Sequence, residues 1–218
     1  MRVRIPVRMR PIRPWRAAVD LRNARRRAPT ANRGLSLIEV LVVMAIAAIL
    51  LGIGVPNMQT FILNNRLASS THEFYTALQF ARSEAVRRGE QITLVHGGTA
   101  GSGNWGAGWT MFVDTNRNAA QDAGEETLRA GAPLEAPLTL YGNANFANFI
   151  AFDAGGRLTT AGGGAFVVCH GANLVEDGQS RARAVLVNGA GRVRFGLDSN
   201  NDGVPEKDSG AVASCTNP

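Results

Sequence analysis

The chain has 218 residues, of which 45% are hydrophobic and 18% charged, with a formal net charge of +6. That length admits one modest domain plus an appendage. Residues 1–34 hold eleven arginines and one acid, Asp20; subtracting these from 23 basic and 17 acidic residues leaves 12 and 16, a net −4 beyond Gly34. The charge balance therefore excludes a broadly basic, nucleic-acid-coating body, because the positive charge belongs to the tail alone.

The tail, residues 1–34, has four prolines and no apolar period, so it cannot bury a core. Met9 offers an alternative start within it. A basic tail ahead of a membrane segment reads as the cytoplasmic side of an anchor. Leu35 to Val55 is the anchor: 21 residues with Glu39 as the sole charge. As a helix rising 1.5 Å per residue it would span about 30 Å, enough for one crossing. From Asn57 to Arg88 the pattern becomes amphipathic. Leu67, Ser70, Phe74, Ala77, Leu78, Ala81 and Ala85 recur at helical spacing, with Arg66, Glu73, Glu84 and Arg87 largely elsewhere on the wheel. Gly89 supplies a stop behind Arg87 and Arg88. Pro56 alone interrupts this path, which predicts one long helix kinked near Pro56. From Gln91 onward, short apolar runs alternate with Gly, Asn and Asp turns: "QITLVH", "GWTMFVD", "LTLYG", "FIAFD", "AFVVCH", "RAVLVN" and "RVRFGL" are the predicted strands. The glycine-heavy "HGGTAGSGNWGAG" and "TTAGGGA" read as loops.

Glu39 needs a reason, since a bare carboxylate in hydrocarbon costs several kcal/mol and intramembrane acids usually have a partner. If the chain is cut after Gly34, Leu35 gains a free α-amine one turn from Glu39. The two charges can then neutralise each other, within a chain or between neighbours. At these residues the sequence resembles the type IV prepilins: "RGLSLIEV" is similar to their class III signal, with a basic residue, a glycine, an apolar first residue and a glutamate at the fifth position after the cut. Pro56 falls where pilins often carry a kinking proline. Leu35 stands where many members have Phe, and the leader is longer than most. The resemblance implies processing at Arg33, Gly34 and Leu35, with cleavage after Gly34 by prepilin peptidase, N-methylation of Leu35, and assembly through Glu39 and Pro56 with other pilins or pseudopilins.

The resemblance extends into the second half of the chain. "FYTALQFARSEAVRRGEQITL", "GWTMFVDTNRN", "EETLR" and "VLVNGAGRVRFG" are similar to the GspH/FimT branch of minor pilins and pseudopilins. The implied fold class is α+β: a long N-terminal helix, half transmembrane and half amphipathic, carrying an antiparallel β-rich globular head. The implied organisation is a leader over 1–34, a filament-core helix over 35–55, its amphipathic continuation over 56–89 and the head over 90–218. The implied location is the bacterial inner membrane, with the N-terminus cytoplasmic and the head periplasmic, and later a type IV pilus or a type II secretion pseudopilus. Secreted proteins are the partners a pseudopilin head would touch.

Several side-chain groups carry candidate chemistry. In "RARAVLVNGAGRVRFGL", Asn188 to Gly191 reads as a hairpin turn. Alternation puts Arg192 and Arg194 on one face, with Val193, Phe195 and Leu197 toward the core. If Val187 pairs with Arg192, Arg183 joins the arginine face and Arg181 sits opposite Asp198. Such a face can grip phosphates or can simply be a solvated strand surface. Gly191, Arg192, Val193 and Arg194 match the Gly-Arg-x-Arg motif associated with DNA uptake in the FimT subgroup, which makes double-stranded DNA a candidate partner. Asp198, Asn200 and Asp202 have the spacing of the first ligands of a calcium loop, with Glu206 or Asp208 to complete it; Asp114, Asn116, Asn118 and Asp122 offer the same. Asx-rich turns form equally without a metal. Cys169 and Cys215 lie in the exported part, where a disulfide is expected and would stabilise by roughly 4 kcal/mol; two buried thiols are the alternative. His72, His96 and His170 fall in no catalytic or zinc spacing, and no nucleophile-elbow signature occurs. No enzymatic activity and no firm cofactor are expected. Trp105 and Trp109 read as core and loop anchors.

Overall fold

The computed structural model describes residues 34–160, 162–207 and 210–218, with the backbone alone at 56 and 57. The leader expected over residues 1–34, apart from Gly34, and the residues Met9, Arg33 and Asp208 lie outside the described residues, as does the Pro56 side chain. Two units are distinguished, one ending at Ala48 and one running from Ile49 to Pro218. A single helix, α1, Leu37–Arg88, is common to both.

Its start is written in the sequence. Ser36 accepts the first helical bond from the Val40 N–H at 3.2 Å. "SLIE", residues 36–39, has the spacing of a capping box, and Glu39 lies in the first turn, where the helix dipole favours an anion. The end is as expected. Gly89 adopts φ +71°, its N–H donates to the Ala85 carbonyl at 2.9 Å, and Arg87 and Arg88 occupy the last turn.

Among the described residues twelve strands follow: β1 Ile92–His96, β2 Trp109–Val113, β3 Thr127–Gly131, β4 Leu138–Gly142, β5 Phe149–Phe152, β6 Gly164–His170, β7 Val175–Glu176, β8 Gln179–Ser180, β9 Ala182–Val187, β10 Val193–Phe195, β11 Glu206–Lys207 and β12 Gly210–Ala211. They form two four-stranded antiparallel sheets, ordered β3-β2-β1-β5 and β10-β9-β6-β4, and two small hairpins, β7-β8 and β11-β12. All seven predicted strands are present. β3 and the two-residue pairs were not anticipated. β6 reaches back to Gly164, inside a stretch read as loop.

The main core joins the helix to one face of each large sheet. Leu67, Phe74, Ala77, Leu78, Ala81 and Ala85 from α1 pack with Ile92, Leu94, Met111, Ile150 and Phe152 of one sheet and Phe166, Val168, Val185 and Val187 of the other. Phe74 stands edge-on to Trp105, Trp109 and Phe166, with ring centroids 5.7, 6.3 and 4.8 Å away. The buried Trp105 indole donates to the Phe146 carbonyl at 2.8 Å. Both tryptophans are core anchors. The β10-β9-β6-β4 sheet is buried on its second face as well, where Ala165, Val167, Ala184 and Leu186 meet Val212 and the bonded pair Cys169–Cys215. Burial on both faces is why "AFVVC" and "AVLV" read as unbroken apolar runs. The disulfide closes a 46-residue separation and ties the C-terminal segment over this second core.

Candidate functional site

Around the N-terminal half of α1, large apolar side chains face outward on every side. Leu37, Leu41, Met44, Ile49, Leu51 and Ile53 are among them, and the run continues through Met58, Phe61 and Ile62. By length and composition this stretch can cross a membrane. Gly34, Leu35 and Glu39 are all exposed.

The arginine hairpin departs from expectation in register. Val193 pairs with Val187, Arg194 with Leu186 and Phe195 with Val185. The Val187–Arg192 pairing, the condition for Arg183 to join the arginine face, is not formed; the register differs by one residue, and one residue exchanges the faces of a strand. Arg194 shares the side of Leu186. Arg183 lies two residues before Val185 on the opposite side, toward α1, and does not join Arg192 and Arg194. Arg181 does not face Asp198 either; its Nε lies 3.3 Å from a Glu176 carboxylate oxygen. Leu197 is 68% exposed rather than directed to the core. Phe195 lies on the α1 side, stacking on Tyr75 at 4.3 Å, yet stays 39% exposed. Arg192 is exposed, and Arg194 is not a free group.

The turn itself is built by packing. Asn188 accepts the Gly191 N–H on its carbonyl at 2.8 Å and the Arg192 N–H on Oδ1 at 2.9 Å. Gly191 has φ +73°, and a Cβ there would lie 1.9 Å from the Gly156 carbonyl oxygen. Arg82 of α1 donates to that same oxygen at 2.9 Å and, more weakly, to Ala190 at 3.5 Å. The glycine of the Gly-Arg-x-Arg motif is thus required by the fold whatever the arginines do.

Both Asx-rich loops are internally satisfied. Asp198 accepts the N–H groups of Asp202 and Gly203 at 3.1 and 2.9 Å, and the Asn200 amide donates to Asp202 at 3.0 Å. Asp114 is buried and accepts from Gln91, Thr93 and the N–H groups of Asn118 and Ala119 at 2.7–3.1 Å. Asn116 and Asn118 both donate to Asp122 at 2.7 Å. Among the described residues no group of three or more His, Cys, Asp and Glu is placed to hold a metal ion.

One cluster escaped the sequence reading. Glu84, placed on the outer wheel, is 8% exposed. It accepts from Arg87, through Nε at 2.9 Å and a second short contact, and from Arg88 at 2.9 Å. Arg88 reaches on to Glu126 at 2.6 Å, joining the helix end to the segment before β3. Hydrogen bonds from Arg87, then Arg88, pull the Glu84 carboxyl down to about 2 despite its burial. Arg88 is raised, chiefly by Glu126 and then Glu84. The i,i+3 and i,i+4 spacing of these residues was the available signal.

The family described as type II transport protein GspH matches residues 70–191, more than half of the chain. The chain belongs to the GspH family. Residues 29–55 also match the prokaryotic N-terminal methylation motif. A crystal structure of the type IV minor pilin FimU from Pseudomonas aeruginosa is 27% identical, with a TM-score of 0.52, and covers 71% of this chain and 98% of that one. Pilin-like protein PilA1 of Thermus thermophilus is 38% identical over 97 residues, which span 44% of this chain and 56% of the relative. The chain thus spans about half the length of that relative. The fold, a long N-terminal helix followed by antiparallel sheets, is that of a type IV minor pilin, and the family is one of structural pilins rather than enzymes.

Proposed function

We propose that this GspH-family chain is a minor subunit of a type IV pilus, stored in the inner membrane and incorporated after processing. Prepilin peptidase cuts after Gly34 and Leu35 is N-methylated. The Leu35–Val55 helix holds the subunit in the bilayer with the head, residues 90–218, outside the cytoplasm. On assembly, the same helix exchanges lipid for the helices of neighbouring pilins. Glu39 then pairs with an N-terminal amine where lipid and neighbouring helices exclude water. The observation carrying this reading is a helix whose large apolar side chains stand exposed from Leu37 to Ile62, while one stripe of it from Leu67 onward is buried under the head. The pilus is preferred to a secretion pseudopilus because FimU is named a type IV minor pilin and PilA1 a pilin-like protein. Glu39→Val tests the role of the carboxylate. The variant is expected to be cut and methylated as normal, giving the mature mass, yet to be missing from sheared filaments. Normal incorporation would remove this role from Glu39.

DNA uptake is a narrower proposal than the sequence suggested. It rests on Arg192 and Arg194 alone, since Arg183 belongs to the other face.

A further inference from the structure

One side of α1 stays apolar beyond Val55 and then turns polar within a turn. Leu51, Val55, Met58 and Ile62 recur at steps of four, three and four residues, which makes one stripe along a helix. They are 63, 50, 59 and 45% exposed, and Phe61 beside them is 61% exposed. The next residues on the same side are Asn65, Ser69, His72 and Thr76, all polar and all exposed. The head cannot be the partner of this stripe. Met58 and Leu67 are nine residues apart, which at about 3.6 residues per turn puts them on opposite sides of the axis. Leu67 begins the side that packs into the core.

Charge draws the same boundary. Between Glu39 and Arg66 lie 26 uncharged residues, Val40 to Asn65. At a rise of about 1.5 Å per residue a helix of that length would extend about 39 Å. The hydrocarbon core of a bilayer is about 30 Å thick, and with its headgroup layers about 40–45 Å. Leu35 to Val55 matches the first thickness, and the uncharged interval to Asn65 matches the second. A groove on another protein would impose no such length. Continuity names the occupant: Met58 and Ile62 prolong the stripe of Leu51 and Val55, and an apolar arc that ends abruptly at polar groups is the form of an interfacial lipid contact.

We propose that the outward side of α1 stays in the lipid through Ile62, so that Met58, Phe61 and Ile62 lie in the outer headgroup layer and Asn65 and Arg66 mark its edge. The proposal rests on the membrane-storage reading above and lengthens its lipid contact. The seven residues past Val55 add about 10 Å. They give the stored subunit a hold on the bilayer surface beyond the crossing itself. That hold must be exchanged for neighbouring helices when the subunit enters a filament.

The test reconstitutes the full chain in vesicles of phosphatidylethanolamine and phosphatidylglycerol. One cysteine at a time is introduced, as Leu51→Cys, Phe61→Cys, Ile62→Cys or Thr76→Cys, and carries a nitroxide; the native Cys169 and Cys215 are bonded to each other. Collisions of the nitroxide with oxygen, which concentrates in lipid, are compared with collisions with a water-soluble nickel chelate. The oxygen-to-nickel ratio is expected to be highest at position 51, clearly raised at 61 and 62, and lowest at 76. Ratios at 61 and 62 equal to that at 76 overturn the proposal and leave the storage reading standing, because 51 still reports lipid. Labels at 61 and 62 shielded from both reagents overturn it as well, since protein rather than lipid then covers the stripe. A ratio at 51 as low as at 76 overturns the proposal together with the storage reading.

Discussion

Helix α1 carries two regions with the same backbone and opposite surroundings. Leu41 is 57% exposed, whereas Leu78, ten turns on, is fully buried. In the first region apolar residues occupy every direction around the axis, so no single face can be hidden by a head. In the second they occupy one stripe, and two sheets close over it. A helix hydrophobic all round needs lipid or other helices, while a striped one needs a single packed neighbour. The comparison shows that partner choice along one continuous helix is set by the angular spread of its apolar residues rather than by their number.

The largest effect is expected where the first region begins. A bulky residue at position 34 (Gly34→Leu) should block cleavage entirely, leaving a precursor in which the new amine never forms. Intact-mass measurement of membrane-extracted protein reads this directly, and a mature mass from the variant would discard the cut site. The second expectation sets the two regions against each other with the same substitution. Phe74→Ala removes a ring buried against Trp105, Trp109 and Phe166 and should destabilise the head by about 3–5 kcal/mol. Phe61→Ala removes a ring that is 61% exposed and should shift head stability by no more than about 0.5 kcal/mol. Chemical denaturation of the detergent-solubilised chain compares them. Equal losses would mean that the first region is also covered by the head.

Much of this architecture could be read in the sequence because burial leaves a period. Leu67, Phe74, Leu78 and Ala85 announce their stripe, and the doubly buried strands announce themselves as "FVVC" and "AVLV". β3 gave no such signal. "TLRAG" lies at a sheet edge with three of its five residues exposed, so neither alternation nor a run was imposed on it. The β9–β10 register was missed for a different reason. Both Gly189 and Gly191 permit a tight turn, and the strand pattern tolerates either pairing. What decides is contact with a distant turn, since Gly191 has to sit against the Gly156 carbonyl that Arg82 also holds. Non-local packing of that kind has no local signature. Glu84 was misplaced because the wheel treats every acid as a surface residue, whereas a carboxylate gripped by two arginines tolerates burial.

The acids at the two ends of α1 sharpen the same contrast. Glu39 lies in the first turn, where the helix dipole favours it without help; Glu84 lies near the last, where the dipole opposes it and Arg87 and Arg88 must compensate. Arginine hydrogen bonds hold the Glu84 carboxyl at about 2 in the folded chain, below its ordinary 4.5. A lowered carboxyl contributes stability above the unfolded value and loses it as pH falls through the folded one. The Glu84 contribution is therefore complete above pH 4.5 and vanishes toward pH 2. Glu84→Gln should lower the melting temperature of the head at neutral pH, and the gap to the native chain should close steadily between pH 4.5 and 2. Melting curves across that range decide it. A gap that persists unchanged at pH 2 would show that Glu84 acts there by shape and hydrogen bonding, with its charge contributing nothing.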